Sequence, residues 1–511
     1  MATPSLAMIP SAYADSKVYS VLPNNGDGDF TFNRDSSATR VGQNGLIQTV
    51  GFFGNELVTN GSFDTDSDWT KGSGWTISGG KANYDGVASI GDLSQSISFS
   101  AGKVYKYTFT ISSLTQGGVR VFVGNTVGAT HSSNGTFVGY ITYSSGGSTI
   151  LQARSSFIGS IDNVSIVEVT GDQPRLNYDI SNGVVQSCPS LLLEPASTNL
   201  LPYSEDYSQS VWGKTNVTLT SNAVVSPDGT QNASKIVATG TDSSLQDSIT
   251  VTSGTTYTLS VYLKTVSGTL DTAISLGSPG FPQNEGEGGR YKNITVTNEW
   301  KRYTLTSTAD ASAATGIGVG GFNSFSTGEQ VYVYGAQLEA QSYPTSYIPT
   351  NGSSQTRAAE SCIDAGNAAT FNSTEGVLYA EISALADDGT FRLFSISDGT
   401  NNNRITIGFS NTSNKFYFQL KANNSSIWQE LITKNVIDTH KIAFKYKSGQ
   451  QSVFVNGLEV VTKTNSFTFS SNLNDLSFFE QGTSNAFYGN VKDIRVYNEA
   501  LTDAQLQTLT T

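Results

Sequence analysis

Side chains suited to covalent or metal chemistry are scarce in this chain. Its 511 residues include two histidines, His131 and His440, and two cysteines, Cys188 and Cys362, each pair far apart. Zinc hydrolysis needs imidazole or thiolate ligands, and Ser-His-Asp chemistry needs an imidazole base beside the nucleophile. Neither reading finds support. Carboxylates are more numerous, and a glycan hydrolase would set two of them close together as nucleophile and general acid. No E-x-D-x-x-E arrangement occurs in the strand-like stretches of the C-terminal third. Asp387-Asp388 precedes a glycine and reads as a turn, while Glu375 and Glu381 are separated by neutral residues.

Aromatic chemistry is what is left. A ring face stacks on the apolar face of a pyranose, so Trp69, Trp75, Tyr84, Trp212, Tyr417 and Trp428 are the candidates for sugar binding. Core packing is the plainer role for each. Trp69 and Trp212 recur at matching places in two similar stretches, as packing residues do. Trp75 and Trp428 lie in Gly- or Ser-rich surroundings and are the better candidates. Trp300, inside the strand-like EWKRYTLT, reads as structural.

The elements that must carry these residues are strands. Charged residues are 14% of the chain, Gly numbers 51, and the Ala/Leu/Glu/Lys runs of long helices are missing except at the extreme C-terminus. Many short strands with Gly, Asn and Ser turns fit that composition, and the length predicts about three domains at roughly 150 residues each. The net charge of −13, with 29 Lys and Arg, argues against nucleic acid as a partner. No stretch approaches 18 consecutive apolar residues, so no membrane span is expected. Pro4 and Pro10 interrupt the first apolar run and no basic residue precedes Lys17, which argues against a signal peptide. The two distant cysteines are expected as free thiols of a protein assembled in a reducing cytosol.

Taken in order, residues 1–54 hold a mostly irregular N-terminal arm followed by FTFNRDSSATRVGQNGLIQTV. Residues 55–172 form a β-module in which Tyr105, Tyr107, Phe109 and Ile111 share one strand face. Residues 173–198 are a joint with an apolar cluster, Leu191–Leu193. A second module, 199–349, repeats the first in order: SISFSAGKVYKYTF (Ser96–Phe109) is echoed by SITVTSGTTYTLSV (Ser248–Val261). Residues 350–374 read as a linker, and 375–511 as a third module. There Asn456-Gly457 predicts a type I′ hairpin, and Thr502 with Gln505 a capping box on the one convincing helix.

ELVTNGSF, the tryptophans that follow it, and SIDNVSIVEV resemble jelly-roll carbohydrate-binding modules. NLLPYSEDYSQSVW, EWKRYTLTST and VYVYGAQLEA carry the likeness more faintly into the second module. SVFVNGLEVV and GNVKDIRVYNEALTDAQL resemble the concanavalin A-like (laminin G-like) fold. The resemblance implies an all-β, multi-domain chain of two jelly rolls and one concanavalin A-like sandwich. It also implies a structural calcium near Asp64 and Asp162 as the one cofactor, against the plainer reading of both as solvated turn carboxylates, with module two lacking the equivalent acid at Gln337. FTFNRDSSATRVGQNGLIQTV, PRLNYD and CPSLLLEPASTNLLPYSEDYSQSVW together resemble a family of bacteriophage virion proteins. In that family the first stretch runs almost directly into the second, so module 55–172 is expected to be an insertion within one framing element. Leu191–Leu193 would then be buried against Thr39–Val50. The expected function is a non-catalytic tail-fibre, head-fibre or adhesin component of a virion assembled in the host cytoplasm. It would bind capsid, portal or tail proteins through its N-terminal region, host-surface glycans through its modules, and further copies of itself in the particle. The alternatives are a capsid or tail decoration protein and, less favoured, a glycoside hydrolase.

Overall fold

The computed structural model describes every residue except Met1, Asn182, 322–324 and 482–484. Strands dominate, as the composition requires. The described helix is Asp503–Thr510, started by Thr502 and Gln505 in the capping box that the sequence predicts. The chain folds as two compact units, each built from separated segments: residues 1–50, 171–196 and 358–511 in one, 51–170 and 197–357 in the other.

Among the described residues, the first unit is built on an eight-stranded and a five-stranded sheet that share its larger core, with a four-stranded sheet and two two-stranded ribbons beside them and a second apolar cluster under the helix. The larger sheet centres on the last strand, Gly489–Tyr497, paired on one side with Glu375–Ala384. On its other side two short strands lie end to end. Leu191–Leu193 faces Gly489–Val491, and Leu6–Met8 faces Ile494–Val496. Within the mostly irregular N-terminal arm, Leu6–Met8 is therefore an integral strand of this sheet. Leu6 and Met8 are fully buried because an open strand edge offered them both hydrogen bonds and an apolar face. Leu191 and Leu193 join the same core as Leu378, Ile382 and Val491, which corrects their expected burial against Thr39–Val50. The linker of 350–374 is likewise structured, since Ser361–Ile363 pairs with Phe30–Asn33.

The stretches either side of the expected insertion do meet. Tyr178 N donates to Val41 O at 3.0 Å, Val41 N to Asn177 Oδ1 at 2.9 Å, and Arg175 Nη1 to Thr39 O at 3.2 Å. Beneath them lies a buried ionic cluster. Arg175 forks onto both oxygens of Glu360 and reaches Glu194 Oε2 at 2.7 Å, while Arg34 Nη1 shares Glu360 Oε1 at 3.0 Å. All four side chains are almost wholly enclosed. Glu194 and Glu360 hold the Arg175 guanidinium above its usual range against the opposing effect of burial.

The second unit contains two related β-sandwiches. In 51–170 a nine-stranded sheet wraps one core because two strands, Val104–Val123 and Thr149–Gly171, bend partway along. Ser113, Ser155 and Ser156 have positive φ at the bends, and the register between these two strands shifts there. In 197–357 a separate core is closed by two five-stranded sheets. The repeat read from sequence recurs in atomic detail. Trp69 and Trp212 each donate their indole N–H to the carbonyl nine residues earlier, Asn60 and Tyr203, at 2.9 Å. Tyr105 and Tyr257 each accept from the backbone N–H five residues earlier, Ser100 and Thr252.

Candidate functional site

In the C-terminal part of the first unit, the smaller sheet runs in the order Ser425–Thr433, Lys415–Ala422, Arg404–Phe409, Arg392–Ser397, Asp475–Ser477. Its inward positions are apolar, with Ile405, Ile407, Phe416, Phe418, Leu420, Phe394 and Ile396 in the core. Strand alternation sends the residues between them to the outer face, where one row is Leu393, Gly408, Tyr417 and Leu431 and the rows beside it are polar. Thr406 stands between Ser395 and Gln419, Arg404 between Ser397 and Lys421, and Gln419 beside Gln429.

Arg404 organises this face. Its Nη2 bonds Glu480 Oε1 at 2.5 Å and Gln419 Oε1 at 3.0 Å, and its Nη1 bonds Asn401 O at 3.2 Å. Asp475 accepts from Ser477 at 2.8 Å and from Gln481 at 3.0 Å, and burial raises its pKa. Tyr417 Oη donates to Gln429 Oε1 at 3.1 Å, and burial pushes its phenol up to about 12. Lys421 reaches Asn401 Oδ1 at 3.1 Å; burial and then the Arg404 charge lower its pKa.

The face is closed at one end and open at the other. Toward Asp475–Ser477 the chain around Phe479 and Gln481 crosses it: Phe479 O accepts from Ser395 Oγ at 3.1 Å, and Gln481 O from Arg404 Nη1 at 3.5 Å. Toward Ser425–Thr433, Ser426 and Gln429 are exposed and Lys421 half-buried. Among the described residues, Thr406 Oγ1 and Arg404 Nε have no hydrogen-bond partner although both are buried. A surface of amides, hydroxyls and one paired guanidinium suits a ligand rich in hydroxyl groups.

The six aromatic candidates fall elsewhere or inward. Trp69, Trp75, Tyr84, Trp212 and Trp428 are core residues, 2–7% exposed, and offer no ring face to a sugar. Trp75 packs 4.9 Å from Tyr84 and bonds Gly91 O, and Trp428 packs 4.9 Å from Phe444. Their Gly- and Ser-rich neighbours mark turns flanking strands, and strand parity then points the rings inward. Tyr417 alone among the six stands on an outer sheet face, itself 6% exposed. Trp300, read as structural, is the half-buried tryptophan; its indole N–H meets Val225 O at 3.0 Å. Arg404, Gln419 and Glu480 escaped the sequence reading because nothing local distinguishes them from other polar strand residues.

Asp64 is exposed and accepts from Ser62 at 2.7 Å, and Asp162 accepts from the Asn163 N–H at 2.6 Å. Their segments adjoin, since Val164 N donates to Gly61 O at 2.9 Å. Among the described residues no group of three or more His, Cys, Asp or Glu side chains converges on a metal position. Both cysteines are free, Cys188 exposed and Cys362 buried. No helix among the described residues is long and apolar enough to cross a membrane.

No relative among curated proteins matches the sequence. Solved structures similar to it include the following three. The CBM40 of the Ruminococcus gnavus IT-sialidase, bound to α2,3-sialyllactose, is 14% identical at a TM-score of 0.24, covering 27% of this chain and 84% of that one. Domain 4 of AbnA, a GH43 extracellular arabinanase from Geobacillus stearothermophilus, in complex with arabinotriose, is 16% identical at 0.24, covering 30% and 73%. The SAP-like pentraxin of Limulus polyphemus is 16% identical at 0.23, covering 27% and 70%. Residues 363–507, which include the whole polar sheet face, match the family model of the concanavalin A-like lectin/glucanases superfamily.

Proposed function

We propose that the chain is a non-catalytic structural component of a bacteriophage particle, a fibre or adhesin that presents β-modules to glycans on a host surface. One observation carries the glycan part: the graded polar face of the small sheet, open at Lys421, Ser426 and Gln429, in a segment matching a lectin/glucanase superfamily. Hydroxyl-rich ligands exchange water for such groups at small net cost, since each lost water bond is replaced in kind. The particle part rests on the resemblance of the framing segments Phe30–Val50 and Pro174–Leu201 to phage virion proteins. On this reading the protein assembles in the host cytoplasm with capsid, portal or tail proteins and with further copies of itself.

A glycan array probed with the full chain tests the first part. Retention of at least one glycan is expected. The double variant Lys421→Ala/Gln429→Ala should weaken it about tenfold, the loss of one or two hydrogen bonds, with an unchanged unfolding midpoint. An array with no retained glycan would remove the adhesin reading. Mass spectrometry of purified particles tests the second part, and absence of the chain from them would refute it.

A further inference from the structure

On the 197–357 sandwich, the outward face of the sheet Val217–Val224, Ala233–Ala238, Gln330–Glu339, Thr256–Thr265, Lys301–Thr308 is half covered and half open. Over the covered half, Glu205 accepts from Tyr347 at 2.9 Å and Tyr334 at 3.2 Å, and Asp228 from Tyr334 and Asn232, both at 3.0 Å. The open half is a row across the strands. Lys235 pairs with Tyr332 and Tyr332 with Lys264, and Trp300 lies just outside the paired strand, one position before the Leu263–Lys301 pair, its indole N–H on Val225 O. All four are half-buried. Their inward neighbours Ile236, Val331, Val333 and Leu263 lie in the core, which fixes the row as outward.

We infer that this row is a binding site for a carboxylated oligosaccharide, with Tyr332 and Trp300 as ring platforms and Lys235 and Lys264 as partners of the sugar carboxylates. Among the described residues neither lysine has an ion-pair or hydrogen-bond partner. Both ammonium groups are thus available to an anion in a chain of net charge −13. The lysines are two strand spacings apart, about 10 Å, with the Tyr332 ring between them. A ring face takes the apolar side of a sugar, and each flanking ammonium takes a carboxylate. The acids on this face do not compete. Glu205 is bonded to Tyr334, Tyr347 and Asn232, and Asp228 to Ser226, Thr230, Tyr334 and Asn232. This inference deepens the glycan-binding reading and rests on it, at a module separate from the site proposed above.

Titration calorimetry of the full chain with trigalacturonate and a hyaluronan tetrasaccharide, each against its methyl ester, tests it. The acid form of at least one should bind tenfold or more tightly than its ester, with affinity falling as salt rises. Lys235→Ala/Lys264→Ala should abolish that preference, and Trp300→Phe should remove the ligand-induced fluorescence change, because the other four tryptophans are buried. Neither lysine nor Trp300 is a core residue, and an unchanged unfolding midpoint verifies that the variants fold. Equal binding of acid and ester, an acid preference surviving in the lysine variant, or tighter binding of a thymidine oligonucleotide would overturn the site. If the array retains neutral glycans while both acids fail here, the proposal falls and the glycan-binding function stands.

Discussion

Individual residues in this protein are decided by parity more than by type. Trp75 and Trp428 have the size and flatness of sugar platforms, yet each falls on an inward strand position and serves the core. Glu205 shows how far enclosure alters a side chain. Burial first, and the neighbouring Asp228 charge second, raise its carboxyl to about 7, while Tyr347, Tyr334 and Asn232 oppose the shift. A carboxyl whose folded pKa exceeds its unfolded value binds its proton preferentially in the folded state. Its contribution is fully present below pH 4.5 and is lost as pH rises to 7. The stability difference between the native chain and Glu205→Gln should therefore move against the native chain by on the order of 3 kcal/mol between pH 4 and 8. Paired denaturant titrations across that range read it, and a pH-independent difference would contradict the assignment.

Elements are shaped by what lies at their edges. The last strand, Gly489–Tyr497, would present bare backbone along one side, and the short strands Leu191–Leu193 and Leu6–Met8 cover it in tandem. A chain without residues 2–8 should lose several kcal/mol of first-unit stability, from exposing the core beneath Leu6 and Met8 as well as the edge. An attached but dispensable arm would leave that unfolding transition in place. Turns were the most legible elements. Asn456 and Gly457 both adopt positive φ, at 49° and 77°, as a type I′ hairpin demands. The long bent strands of the first sandwich were not legible, because a bend at Ser113 or Ser155 looks in sequence like any strand end.

The whole molecule is assembled from pieces that leave and re-enter their units. Residues 34, 175, 194 and 360 are far apart along the chain, and one buried ionic cluster gathers them. Replacing Arg175 by alanine leaves Glu194 without its cation and Glu360 with Arg34 alone, at a cost of about 3–5 kcal/mol. Calorimetry should show that loss in the transition of residues 1–50, 171–196 and 358–511, with the transition of the other unit unshifted. Equal shifts in both would show that the cluster is not confined to one unit. The sequence alone determined the all-β class, the repeat between the two sandwiches, the hairpin and the capped helix, because composition, period and turn chemistry are local. Only the tertiary structure decided that Leu6–Met8 is a core strand, that Arg404 gathers Gln419 and Glu480 on one face, and that Trp300 stays half-buried while four tryptophans are buried. Each of those depends on which strand lies beside which, and register between distant strands is set by the collective burial of apolar faces.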